Sequence, residues 1–463
     1  MSTDAHQEEI FSDAELDAVI KAYDIRGLVD EQITPDFAFA LGAAFARYLQ
    51  DEREPASIVV GEDMRPSSSE LAEAFCDGAN SQGFDAIRIG LASTDMLYFA
   101  SGKLNLPGVM FTASHNPAEY NGMKLCKSGA RPIGKESGLL RIRELMRYGV
   151  AIKLSQSGKT LQKDLVAEYG DFLLSLFSKD EISKARQLKV VVDAGNGMAG
   201  FTAPAVLAKL NVDVIPMYFE LDGTFPNHEA NPIDPANLVD LQKRVIAEGA
   251  DIGLAFDGDA DRCFLVDERG GLVNPSALTA LIAVRELKRK PGSTIIYNLI
   301  SSQAVPEIVK EHGGTPVRSR VGHSYIKKLM AETGAIFGGE HSGHFYFADF
   351  WRADSGMLAA LFALAELGAS TSPLSTLLAQ YNRYFSSGEI NTRVADASVA
   401  IAKVKAHFAA LESDEMDGLT VQGGEWWFNL RPSNTEPLLR LNVEAATPEL
   451  MASKRDELLA LIG

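Results

Sequence analysis

The segment LKVVVDAGNGMAGFTAPAVLAKL, residues 188–210, opens with a β-branched run, turns through three glycines and continues in a helical pattern. Short runs of Val and Ile bounded by turn residues read as strands, and apolar residues spaced three and four apart read as helices. Related units recur in ASIVVGEDMRPSSSELAEAF (56–75), ADIGLAFDGDADR (250–262) and STIIYNLISSQAVPEIV (293–309). Repetition of this unit predicts α/β layers in related domains, with loops gathered at strand ends where ligands bind. After YFSSGEINTRV (384–394) the pattern changes to a helix, two strands joined by a loop, and a last helix, which predicts a small α+β domain. Other seams are expected near KLSQSGKTLQK (153–163) and at Gly270 and Gly271.

A chain of 463 residues with 46% apolar composition is expected to fold as three or four domains. The most apolar helical run, MLAALFALA from Met357, is about half of the roughly 20 residues a bilayer span requires, so no membrane partner is expected. The acidic start MSTDAHQEEIFSDAEL lacks the basic and apolar regions of a secretory signal. Cys76, Cys126 and Cys263 form neither an even disulfide framework nor a CxxC pair, which fits a cytoplasmic protein. A net charge of −18 argues against nucleic-acid binding and requires any anionic substrate to meet locally placed cations or a metal.

In LAFDGDADRCFLV (254–266), Asp257, Asp259 and Asp261 alternate. On a straight strand their backbones would stand roughly 6.6 to 7 Å apart, so convergence needs a curl, which Gly258 is expected to permit. Three hard oxygen donors without sulfur or imidazole suit Mg²⁺. An EF-hand reading also uses Glu268, but Arg262 occupies the position that needs glycine, and the flanks read as strands. The glycines of GNGMAG (195–200) fit a dinucleotide fingerprint, with Glu220 and Asp222 about twenty residues on. That would make the chain an NAD-dependent oxidoreductase, but would leave the aspartate triplet unexplained.

TASHNP (112–117) sets Ser114 beside His115 in a polar turn. Adjacent side chains of an extended segment point to opposite faces, so a nucleophile–base bond between them is not expected. A serine that carries a phosphoryl group instead needs a metal and cations, and the triplet supplies the metal. Lys124 in YNGMK and Arg26 in KAYDIRG, beside Tyr23 and Asp24, are candidate phosphate neutralisers. GGEHSGH (338–344) offers Glu340, Ser342 and His344 for sugar hydroxyls, with His323 upstream. RPSNTEP offers Arg431, Ser433, Asn434 and Thr435 as a phosphate clamp, with Arg440 nearby.

With AYDIRG, TASHNP, DGDADR, GEHSGH and RPSNTEP in this order, the chain resembles the α-D-phosphohexomutase family and its bacterial phosphomannomutase/phosphoglucomutase group over nearly its whole length. The resemblance implies three similar α/β domains with mixed sheets plus a smaller C-terminal α+β domain around a central cleft. It implies boundaries at 1–160, 161–270, 271–384 and 385–463, carrying in turn the serine, metal, sugar-recognition and phosphate loops. Ser114 would be the phosphoserine and would share Mg²⁺ with Asp257, Asp259 and Asp261, while Arg262 and Lys124 stabilise charge or move protons. Glu340 and Ser342 would hold the sugar, and Arg431, Ser433, Asn434 and Thr435 its phosphate. The implied reaction interconverts mannose 6-phosphate and mannose 1-phosphate, with glucose phosphates as further substrates, through a hexose 1,6-bisphosphate intermediate. Partners would be small phosphosugars and the assembly a monomer or weak homodimer. Ile300 stands where some dual-specificity members carry lysine, and a noncatalytic sugar-phosphate sensor remains an alternative reading.

Overall fold

The computed structural model describes residues 9–152, 157–432 and 438–463. The chain divides into two compact units, Met1–Val273 with Ser342–Ser375, and Asn274–His341 with Thr376–Gly463.

In the first unit, one mixed sheet is ordered Ile25–Leu28, Tyr120–Lys127, Gly108–Phe111, Ser57–Glu62, Asp85–Leu91 and Thr160–Gln162, with Arg131–Pro132 paired to Tyr120–Lys127. Gly108–Phe111, Ser57–Glu62 and Asp85–Leu91 are parallel, and Tyr120–Lys127 runs against Gly108–Phe111. The strands Ser57–Glu62 and Gly108–Phe111 are almost wholly buried, as expected where helices cover a parallel sheet. Helices Pro35–Asp51 and Ser68–Asn80 meet at Gly42 and Gly78, and a Cβ at either glycine would collide with a carbonyl of the other helix.

The opening segment forms strand Leu188–Asp193 and helix Ala199–Leu207, as its pattern predicts. Leu188–Asp193 lies parallel to Val212–Met217 and Ile252–Phe256, and Cys263–Asp267 closes the sheet antiparallel. The apolar run at Met357 belongs to the buried helix Gly356–Ala369, and no single helix among the described residues is long and apolar enough to cross a membrane.

In the second unit, Thr294–Asn298 pairs in parallel with Thr315–Ser319 and Phe337–Gly339. A separate antiparallel sheet is ordered Phe385–Arg393, Leu438–Ala445, Trp426–Pro432, Leu419–Gln422 and Glu412–Asp414. Its core includes Phe428, Leu430, Leu439 and Leu441, with Val404 and Leu458 from the helices Ala397–His407 and Pro448–Ile462. The three α/β layers and smaller C-terminal α+β layer expected from the sequence are thus present, with mixed sheets.

Candidate active site

Two strand-end loops of the first unit build the centre of the site. The loop after Gly108–Phe111 carries Ser114, and the loop between Ile252–Phe256 and Cys263–Asp267 carries the aspartates. Ala260, not Gly258, takes the left-handed conformation that curls the acidic loop, with φ 59°. Gly258 has a different task, because a Cβ there would collide with the carbonyl oxygen of Ser114. Its missing side chain lets the two loops touch.

Ser114 Oγ donates to Asp257 Oδ2 at 2.8 Å. Lys124 Nζ, from strand Tyr120–Lys127, donates to Asp259 Oδ2 and Asp261 Oδ2, both at 2.6 Å. Burial opposes the charge on Lys124, but these carboxylates outweigh it and hold the ammonium above its ordinary pKa. Burial, with the neighbouring Asp259 and Asp261, holds Asp257 well above the usual carboxylate range. For Asp261, burial is overcome by Lys124, His344 and Arg262, which hold it well below that range.

The three aspartates are buried and each offers an oxygen within 4.8 Å of the others. Oδ1 of Asp259 and Oδ1 of Asp261 are buried without a hydrogen bond among the described residues, a costly arrangement unless a cation completes it. Concentrated hard oxygen donors with unmet acceptor capacity fit a divalent metal.

His115 corrects the expectation drawn from an extended TASHNP. Ser114 takes φ 52°, and the turned backbone brings Ser114 Oγ to 3.2 Å from His115 Nδ1. The same Nδ1 lies 2.7 Å from Arg262 Nη2. A guanidinium can only donate, so Nδ1 is its acceptor and His115 is neutral; Arg262 and burial hold its pKa well below the ordinary value. Arg262 also pairs with Asp257, Nε to Oδ2 at 3.4 Å. Arg26 donates to Asn116 of the serine loop and, at 2.6 Å, to Asp24, with Tyr23 half-buried beside them in sequence.

GEHSGH divides between the units. Glu340 belongs to the second, where its buried Oε1 accepts from Gly322 N at 3.1 Å and Asn298 Nδ2 at 3.5 Å. Ser342 and His344 belong to the first, with Ser342 Oγ 2.9 Å from His344 Nδ1 and His344 Nε2 3.5 Å from Asp261 Oδ1. His344 therefore stands with the acidic cluster. Arg431 of the second unit donates to Glu389 Oε2 at 2.7 Å, and Arg440 Nη1 is 3.4 Å from Glu389 Oε1. His323 opens helix His323–Thr333, but its side chain lies outside the described residues, as do Ser433, Asn434 and Thr435.

The dinucleotide reading of GNGMAG fails on hydrogen bonding. Gly195 N donates to Asp193 Oδ1, and Asn196 N, Gly197 N, Met198 N and Gly200 N donate to the carbonyls of Tyr218, Ala194, Gly258 and Gly197. Five of the motif's six amides are thus already engaged, which leaves no cradle of free amides for a pyrophosphate. The turn instead buttresses the acidic loop, since a Cβ on Gly197 would stand 2.7 Å from Gly258 O.

Sequence reasoning missed Thr94, whose backbone N donates to Asp259 O at 2.9 Å and whose Oγ1 donates to Asp259 Oδ2 at 2.6 Å. It also missed Arg65, which grips the serine loop. Their only signal was a position in a polar turn after a strand.

Four family models, described as phosphoglucomutase/phosphomannomutase α/β/α domains I, II and III and C-terminal domain, match residues 17–148, 167–271, 274–384 and 389–461. The chain belongs to the phosphoglucomutase/phosphomannomutase family. It is 41% identical to a phosphomannomutase of Salmonella montevideo over 96% of this chain and 98% of that protein. It is 38% identical to one of Methanocaldococcus jannaschii, over 96% and 97% respectively. A family crystal structure from Burkholderia thailandensis superposes with TM-score 0.87 at 31% identity, covering 96% of this chain and 97% of that one. Membership makes the chain an enzyme of the isomerase class that transfers phosphate intramolecularly.

Proposed function

We propose that this family member is a phosphomannomutase that interconverts mannose 6-phosphate and mannose 1-phosphate, also accepts glucose phosphates, and uses Ser114 as phosphoryl carrier. The observation that carries the reading is the bond from Ser114 Oγ to Asp257 within a buried triplet in which two carboxylate oxygens have no hydrogen bond among the described residues.

In the forward half-reaction the Oγ–P bond of phosphoserine breaks as a sugar hydroxyl forms the new P–O bond; the hydroxyl loses its proton and the departing Ser114 Oγ gains one, giving a hexose 1,6-bisphosphate and a free serine. The intermediate turns over in the site and returns its other phosphoryl group to Ser114. When Ser114 is rephosphorylated, Oγ gives up its proton and the sugar oxygen that leaves phosphorus gains one, so the second half-reaction mirrors the first. Asp257, Asp259 and Asp261 would hold Mg²⁺ together with Ser114, and that ion would neutralise charge on the transferring oxygens. Lys124 and Arg262 place two further cations around the same group, and Arg26 orders the loop through Asn116. His115 keeps Arg262 aimed at the serine. Glu340, Ser342 and His344 are assigned to the sugar, with His323. Arg431, Ser433, Asn434 and Thr435 are assigned to the distal phosphate, and Tyr23 to the substrate.

The test is ³¹P NMR of mannose 6-phosphate with catalytic protein, Mg²⁺ and a trace of hexose 1,6-bisphosphate. Appearance of mannose 1-phosphate supports the reading; binding without turnover would leave the sensor alternative standing.

A further inference from the structure

We infer that Arg65 is a positioning residue of the phosphoryl transfer, the clamp that fixes the frame of the serine loop. This rests on the proposal that Ser114 carries the phosphoryl group.

Arg65 follows strand Ser57–Glu62 and is 3% exposed. Its Nη1 donates to Pro117 O at 2.8 Å and Tyr120 O at 2.9 Å. Its Nη2 donates to Ser114 O at 3.0 Å and Asn116 O at 2.7 Å. One planar group thus ties together four carbonyls spread over residues 114–120. Asp63 fixes the guanidinium from behind, Oδ2 to Nε at 3.3 Å, while its Oδ1 accepts from Arg65 N and Ser68 Oγ. Phe225 covers it, its ring centroid 5.1 Å from the guanidinium carbon.

The clamp acts on a residue that needs one. Ser114 is held at φ 52°, a left-handed conformation that a residue with a Cβ resists. Ser114 N donates to Thr112 Oγ1 at 2.9 Å and its carbonyl is held by Arg65, so the Cα–Cβ bond is aimed from both sides. Only Oγ is left to face the aspartates. A lysine carries a compact ammonium with three donors and cannot reproduce the fork that reaches four separated acceptors.

The experiment compares Arg65→Lys and Arg65→Ala with wild type by steady-state kinetics on mannose 1-phosphate, with near-ultraviolet circular dichroism as the check on folding. Loss of aim in the transfer step should lower kcat by about 100-fold. KM should stay within about threefold, because no substrate contact is removed. Millimolar guanidinium should raise the kcat of Arg65→Ala, and the same concentration of ammonium should not. A folded Arg65→Lys with wild-type kcat would overturn the inference, as would loss of the folded state in both variants, which would assign Arg65 to general stability. Wild-type turnover in Ser114→Ala would instead remove the underlying proposal.

Discussion

Ser114 Oγ lies 2.8 Å from Asp257 Oδ2, although 143 positions separate the two residues. The contact depends on two backbone choices: a left-handed Ser114 and an acidic loop without a Cβ at position 258. Ser114→Ala removes the atom that would carry phosphate and leaves both choices in place. Turnover should drop by 10⁴-fold on the order of magnitude seen when nucleophiles are removed. Stability should change by no more than about 1–2 kcal/mol, the scale of one lost buried hydrogen bond. Wild-type turnover in this variant would exclude Ser114 as carrier. In the active protein, intact mass and peptide mapping should find one phosphoryl group at this serine.

Metal removal should be felt in stability as well as in rate. Without a metal, three buried carboxylates rely on Lys124, Arg262 and His344 for compensation. A metal at 100 times its Kd adds about 2.7 kcal/mol, which at roughly 2–4 °C per kcal/mol for a unit of about 150–250 residues raises Tm by about 5–11 °C. Chelation should reverse that rise and abolish turnover. Asp259→Asn should shrink both metal responses, since it removes one donor set and breaks the ion pair with Lys124. Identical melting curves in Mg²⁺ and in chelator would contradict the ligand assignment.

The architecture and the centre of the site were legible in the sequence because both are written locally. A β-branched run followed by a turn and a helix declares an α/β unit, and three aspartates within five residues declare a cation site. Relations across the chain were less visible. Thr94 and Arg65 are common residue types in ordinary turns, and only folding brings them to Asp259 and the serine loop. The Ser114–His115 geometry was misread because it hangs on one left-handed residue that is not glycine. The curl of the acidic loop was expected at Gly258 and occurs at Ala260, since the glycine is needed for close approach.

Helix packing gives a prediction independent of the chemistry. Gly42 and Gly78 let the helices Pro35–Asp51 and Ser68–Asn80 approach backbone to backbone. Gly42→Ala gains up to about 1 kcal/mol of helix propensity. It must also push Phe75 O away, and overpacking of this kind costs about 1–3 kcal/mol. The net expectation is a lower urea midpoint with kcat per folded molecule retained. Gly249→Ala, at a helix C-terminus with open space around it, should cost only the strain of φ 59°, about 1–2 kcal/mol. A midpoint for Gly42→Ala at or above that of wild type would show that the helices separate without penalty.

Asp95, next to the Thr94 that bonds Asp259, sets a pH dependence of stability. It is fully buried and accepts from Ser93 Oγ, from Ser355 Oγ at 2.6 Å and from Tyr169 OH at 2.7 Å. Burial pushes its pKa up to about 6, and the three hydroxyls only partly offset this. A carboxyl whose folded pKa is raised stabilises the native state fully below its unfolded value near 4, and that contribution disappears as pH rises through about 6. Between pH 5 and pH 8 the loss amounts to about 1.4 kcal/mol. Asp95→Asn has the shape of the protonated side chain and no titration, so it escapes this loss. Urea unfolding of both proteins at the two pH values should therefore show the stability difference, wild type minus variant, falling by about that amount at pH 8. The common background of other titrating groups cancels in the difference, so a gap that stays constant would place Asp95 in an environment that tolerates its charge.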